Sequence, residues 1–278
     1  METGAKGPKT NLIFYIFNYI EVVFITPFMR VALCFLISNP EGRLHQSEVW
    51  RSYFSHPSAR HHGAVYVHSK HPVTDPFLLE FATILENPIV NTSWGHISIV
   101  EATLHLLRSA LEDLSNMYFM LLSESCIPIV DFECLWTFLK EQTVPRSIFN
   151  GGKCPWDFYY RYHDVSPLPD GSPYIGWDRF MVQSQWMLLC RDDAQLLDET
   201  RNDTQYFRHM PIPDEHYFIN VLHRNGRAFD YRPLVYMEWR SGQKHPNTFS
   251  TITPDLVRTA VSTGAFFLRK VNDSTQIL

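Results

Sequence analysis

The stretch from Trp94 to Pro128 leaves this chain few folds to choose from. Apolar residues at Ile97, Val100, Leu104, Leu107, Leu111 and Leu114 recur at three- and four-residue spacing, the period of one helix face. The run Tyr118 to Leu122 is then continuously apolar, as a strand covered on both faces must be, and it stops at Ser123-Glu124-Ser125. A helix feeding a doubly covered strand is the unit of a parallel α/β sheet. Ligands of such sheets bind outside the carboxyl ends of the strands. A functional site is therefore expected near Glu124.

The alternation of strand and helix extends in both directions. Arg30 to Ser38 reads as a first buried strand, Ser47 to His56 as a helix, Ala64 to His68 as a second strand and Asp75 to about Leu85 as a second helix. A further helix is predicted from Asp131 to Lys140. Pro145 to Pro173, rich in Pro, Gly, Tyr and Asp, reads as a long loop of the kind that shapes an active site. Ser184 to Cys190 is predicted as a strand, with a short helix after Arg191. Pro213-Asp214-Glu215 opens another helix, with Pro in the first turn and two carboxylates at the positive end of the dipole. A strand from Leu234 to Trp239, a helix from Pro254 and a strand from Ala265 to Val271 complete the order. The expected fold class is α/β, a mostly parallel central sheet flanked by helices. A chain of 278 residues can bury one full core, so a single domain is expected over 29–278.

Residues 1–28 are set apart. Asn11 to Phe28 is nearly apolar and follows Lys6 and Lys9, but Glu21 stands in its middle and Pro27 ends it. A central acid costs roughly 2.5 to 3.5 kcal/mol on insertion scales. The segment is either a signal-anchor or membrane-lying helix, or an amphipathic helix docked on the domain. The first reading brings association with a membrane through residues 11–28. The net charge of −5 argues against a general nucleic-acid partner, which needs a basic face, yet leaves room for a local cationic cluster and one anionic ligand. Cys34, Cys126, Cys134, Cys154 and Cys190 form an odd set without a CxxC pair, specifying neither a closed disulfide framework nor a zinc ribbon. Cys34 and Cys126 lie in apolar runs and read as buried thiols. Sequons at Asn91, Asn202 and Asn272 lend slight support to a secretory route.

Five blocks in order, RVALCFLIS with YVHSK, TSWGHISIVEATLHLL, YFMLLSESCIPI, SQWMLLCRDDA, and PDEHYFINVL followed by HPNTF and FFLRKV, span residues 29–271. In these blocks the chain resembles the core 2/I-branching enzyme family, glycosyltransferase family 14, which includes branching N-acetylglucosaminyltransferases, peptide xylosyltransferases and plant relatives. The resemblance implies a GT-A-like fold that uses a UDP-sugar and inverts the anomeric centre without a divalent metal. Most GT-A enzymes hold a metal through Asp-x-Asp at the end of a central strand. That place is taken here by Ser123-Glu124-Ser125, and no Asp-x-Asp occurs in the chain. Charge on a departing UDP then has to be met by cationic side chains.

The same resemblance suggests roles. Read alone, Glu215 is first a solvated or capping carboxylate at a helix start; the aligned block reverses that preference, because there it matches the family's catalytic base. Asp214 either binds acceptor hydroxyls or caps the helix. Lys270 matches a lysine that contacts the diphosphate, with Arg269 beside it, and Lys244 and His245 lie near the position of a second phosphate-binding cation. Arg161 and Arg179 are further cationic candidates around the long loop. His68 ends a strand where uridine contacts are common, or is a satisfied structural histidine. Trp94 and Gly95 form a pair whose glycine permits close approach of backbone to ligand or a tight turn. Glu124 bonds the donor sugar or caps the next helix. Gln185 and Trp186 contact the acceptor or pack in the core.

The expected activity is an inverting, metal-independent transfer of a sugar, N-acetylglucosamine or xylose favoured, from a UDP-sugar to a hydroxyl of a glycan or glycoprotein, giving a β-linkage. UDP-glucuronic acid is a further donor no residue excludes. No cofactor beyond the donor is expected. The alternative is a catalytically silent glycan-binding protein on the same fold. A glycoside hydrolase would need two carboxylates facing each other across a sugar, which the adjacent Asp214 and Glu215 do not provide. Localisation is expected at a membrane, in the secretory route or on the cytoplasmic face.

Overall fold

The computed structural model describes residues 29–86, 89–240, 242–243 and 245–278. The apolar segment 11–28 and Lys244 lie outside the described residues. No helix among the described residues is long and apolar enough to cross a membrane.

The described strands are β1 (Arg30–Ile37), β2 (Gly63–Ser69), β3 (Ala82–Ile84), β4 (Asn116–Ser123), β5 (Cys126–Pro128), β6 (Ile148–Phe149) and β7 (Gly151–Lys153). They continue with β8 (Met181–Gln183), β9 (Leu188–Cys190), β10 (Asp230–Tyr231), β11 (Val235–Tyr236), β12 (Thr251–Ile252), β13 (Phe267–Arg269) and β14 (Gln276–Ile277). Seven form the central sheet in the order β10-β6-β9-β4-β1-β2-β3. Every pairing in it is parallel except those of β9, which runs against both β4 and β6. This is the mostly parallel α/β arrangement expected. Register puts Leu36 of β1 beside both His68 of β2 and Ser123 of β4, so three carboxyl ends finish at one edge. A smaller sheet, β11-β13-β5, abuts that edge, with Arg269 opposite Cys126.

Burial follows the sequence pattern. Helix Ser98–Leu111 buries Val100, Leu104 and Leu107, whereas Leu114 falls beyond the helix end and is 76% exposed. In β4 only Met117 is less than fully buried. Trp50, wholly buried, meets Phe35 of β1 edge-on and stacks on Phe267 of β13, tying the two sheets together. All five cysteines are unpaired, and Cys34 and Cys126 are buried.

Several boundaries differ from expectation. Asp75 caps a helix of only six residues, Pro76–Phe81, because Ala82–Ile84 leave it to pair with β2. Pro213-Asp214-Glu215 forms a single 3-10 turn, and the helix proper, Tyr217–Arg224, starts after His216 interrupts the backbone at φ −134°. The strand predicted over Ser184 to Cys190 keeps only Leu188–Cys190, since Gln185 and Trp186 turn out toward a cleft. Likewise Leu234 to Trp239 and Ala265 to Val271 shorten to β11 and β13. The long loop carries β6, β7 and two short helical turns, Trp156–Phe158 and Tyr159–His163.

Candidate active site

The carboxyl edge of the sheet opens into a cleft with two lobes. The first, about 270 Å³, is lined by the ends of β1, β2 and β4 together with Trp94, Gln185, Trp186, Arg269 and Lys270. The second, about 220 Å³, shares those last five residues and adds Asp214, Glu215, Met237, Trp239 and His245.

Each wall has a local cause. Glu124, just past β4, accepts hydrogen bonds from the backbone N–H and hydroxyl of Ser38 at 3.2 and 2.7 Å, so the neighbouring strand end fixes its carboxylate. His68 spends Nε2 on the backbone N–H of Val90 at 3.1 Å, and burial pushes its pKa down. Lys70 donates to the Thr92 carbonyl at 3.2 Å. The end of β2 thus pins the loop that carries Trp94, which is 70% exposed and meets the ring of His245 edge-on. Arg269 donates to the Ser123 hydroxyl and lies 4.3 Å from the Trp186 ring centroid. Its Nε has no partner among the described residues. The backbone of Lys270 is held on both sides by the HPNTF block, donating to Asn247 and accepting from Phe249. Burial, then the charge of Arg269, pushes the Lys270 ammonium below the ordinary lysine range.

In the second lobe, Gly95 at φ +69° accepts from the N–H of Ile212 at 3.1 Å. Ile212 itself sits at φ +54°, a conformation a β-branched residue rarely adopts. This clasp aims the turn bearing Asp214 and Glu215. Asp214 is buried with Oδ1 unpartnered among the described residues, and burial, then the charge of Glu215, pushes its pKa up to about 7. Glu215 is one-third exposed and bonds Arg161 Nη1 through Oε2 at 2.7 Å.

The structure thus brings together His68, Trp94, Glu124, Gln185, Trp186, Asp214, Glu215, His245, Arg269 and Lys270, with Gly95 behind them. Arg161 lines neither lobe and pairs with Glu215 instead of facing the strand ends. Arg179 also lines neither lobe: its guanidinium donates to the His223 carbonyl while His223 Nδ1 bonds the Arg179 carbonyl, an exposed reciprocal pair that ties it to the helix Tyr217–Arg224. Sequence reasoning missed Lys70, Ser38 and Trp239. Lys70 was within reach, standing two residues past His68, whereas nothing in the sequence marks Ser38 as the partner of Glu124.

A mostly parallel sheet with a cationic, acid-bearing cleft at its carboxyl edge fits the glycosyltransferase class. The chain belongs to the Core-2/I-Branching enzyme family, whose sequence pattern matches residues 33–261. It is 26% identical over 276 residues to Glycosyltransferase BC10 of Oryza sativa subsp. japonica, an alignment that covers 82% of this chain. The chain spans 65% of the length of that curated relative. The apo structure of the bifunctional glycosyltransferase WbbM aligns with a TM-score of 0.44 at 9% identity, covering 87% of this chain and 45% of WbbM.

Proposed function

We propose that the protein is an inverting, metal-independent glycosyltransferase that moves a sugar, N-acetylglucosamine or xylose favoured, from a UDP-sugar to a glycan hydroxyl. The observation that carries the reading is the two-lobed cleft: Arg269 and Lys270 stand in the wall common to both lobes, Lys70 adds a third cation to the first, and Asp214 and Glu215 line the second. Among the described residues the first lobe holds Lys70, Arg269 and Lys270 against the single carboxylate of Glu124. That surplus of two positive charges matches the two negative charges of the diphosphate in a bound UDP-sugar without help from a metal.

In the reaction, Glu215 accepts the proton of an acceptor hydroxyl whose oxygen attacks the anomeric carbon. The bond from that carbon to the β-phosphate oxygen breaks, and its electron pair leaves with UDP, stabilised by Arg269 and Lys270. One displacement of an α-linked donor gives a β-linked product. Glu124, held by Ser38, faces the same lobe and is placed to accept from a donor hydroxyl. UDP release from a panel of UDP-sugars in EDTA, with Glu215→Gln as control, tests the reading. One donor should be turned over in EDTA, and the variant should lose at least about 100-fold in kcat, the general-base contribution. Turnover only after added Mn²⁺ would overturn metal independence, and full activity of the variant would overturn the base.

A further inference from the structure

We propose that Arg161 is a positioning residue for Glu215, holding the carboxylate in its reactive orientation, and takes no part in binding the donor phosphates. This rests on the assignment of Glu215 as the base. The two residues are 54 positions apart, on the helical turn Tyr159–His163 of the long loop and on the 3-10 turn Pro213–Glu215. Arg161 is 6% exposed, and its guanidinium is engaged around its edge and on one face. Nη1 donates to Glu215 Oε2 at 2.7 Å and to His216 Nε2 at 3.3 Å. Nε donates to the Tyr160 hydroxyl at 3.2 Å, and the guanidinium carbon lies 4.1 Å from the Phe158 ring centroid.

The histidine makes the arrangement specific. His216 Nδ1 lies 2.9 Å from the Met181 carbonyl oxygen, which can only accept, so Nδ1 carries the hydrogen and Nε2 offers a lone pair to Arg161. Phe180 stacks on the same imidazole at 5.0 Å, fixing its plane. Burial keeps His216 neutral, so no second cation competes with the guanidinium. Arg161 is locked from behind and presents one strong, charge-assisted hydrogen bond forward, to one oxygen of Glu215. The other oxygen is left for the acceptor. A long loop that sequence marks as active-site architecture is thereby coupled to the proposed base through one side chain.

The test is a double-mutant cycle with Arg161→Met, Glu215→Gln and the double variant, reading kcat, the KM of the UDP-sugar and the Kd of UDP by calorimetry. Arg161→Met should lower kcat about 100-fold, the scale expected for a misplaced catalytic group, with KM and UDP Kd within about twofold of wild type. Arg161→Lys, which keeps the charge but not the fork, should recover part of kcat. The double variant should be no slower than Glu215→Gln alone, since Arg161 acts only through that carboxylate. A tenfold or greater weakening of UDP binding in Arg161→Met, or losses that multiply in the double variant, would overturn the proposal. So would a lowered Tm with unchanged kcat. If Arg161→Met does not fold, Tyr160→Phe, which removes only the Nε partner at a half-exposed side chain, should lower kcat a few-fold with UDP Kd unchanged; an unchanged kcat there overturns the proposal. Full activity of Glu215→Gln would instead sink the base assignment on which it stands.

Discussion

Asp214 and His216 flank Glu215 and have pKa values displaced in opposite directions by the same cause. Burial raises Asp214 from 3.8 to about 7 and lowers His216 from 6.5 to about 4. Between pH 4 and 7 the folded protein keeps the Asp214 proton that the unfolded chain has released, so this group makes stability fall as pH rises. His216 does the reverse between pH 4 and 6.5, where only the unfolded chain is protonated, so stability rises with pH. The two effects nearly cancel in wild type. Asp214→Asn removes one of them, and its melting temperature should climb with pH from 4.5 to 6.5 relative to wild type, by on the order of 3 °C per pH unit. Calorimetric scans at four pH values check this, and parallel profiles for the two proteins would refute it. Residue identity was legible here only in part: the PDE block marks Glu215, but burial of Asp214 depends on packing that no local pattern encodes.

At the level of elements, the base depends on a clasp between two loops. Gly95 and Ile212 both adopt positive φ, and the hydrogen bond between them joins the loop after β3 to the turn before Glu215. A Cβ added at Gly95 would meet Ile212 Cγ1 no closer than 3.7 Å, so there is space for a methyl group. The penalty for Gly95→Ala is therefore conformational, about 1 kcal/mol, or roughly 2 to 4 °C in Tm for a chain of this size. A fall in kcat should accompany it, because the clasp aims Glu215. An unchanged Tm and kcat would show that the loop re-forms at negative φ. Long periodic elements such as Ser98–Leu111 and β4 were readable from sequence because one face or both faces are buried. Short ones were misjudged where side chains serve the cleft: Gln185 and Trp186 look like strand residues and form a wall.

For the whole molecule, the distribution of charge matters more than its total. The chain carries a net charge of −5, which by itself repels an anionic donor, yet Lys70, Arg269 and Lys270 face one lobe at the carboxyl edge of the sheet. The sheet creates that concentration by ending β1, β2 and β4 together and bringing β13 against them through β5. The mostly parallel sheet was legible from the alternation of strand and helix; the spatial order of its strands and the arrival of residues 269 and 270 at the same edge were not, because they depend on long-range pairings such as the antiparallel one of β13 with β5. If these cations hold the diphosphate, UDP binding has an electrostatic component that salt screens, since the Debye length shrinks from about 10 Å at 0.1 M to about 3 Å at 1 M. Uridine, with the same base and ribose but no phosphate, lacks that component. The Kd of UDP should rise several-fold between 0.05 and 0.5 M NaCl while that of uridine stays level, and Lys70→Met should flatten the dependence for UDP. Equal salt dependence for the two ligands would place the phosphates away from this wall, and Arg269 and Lys270 would then need another role.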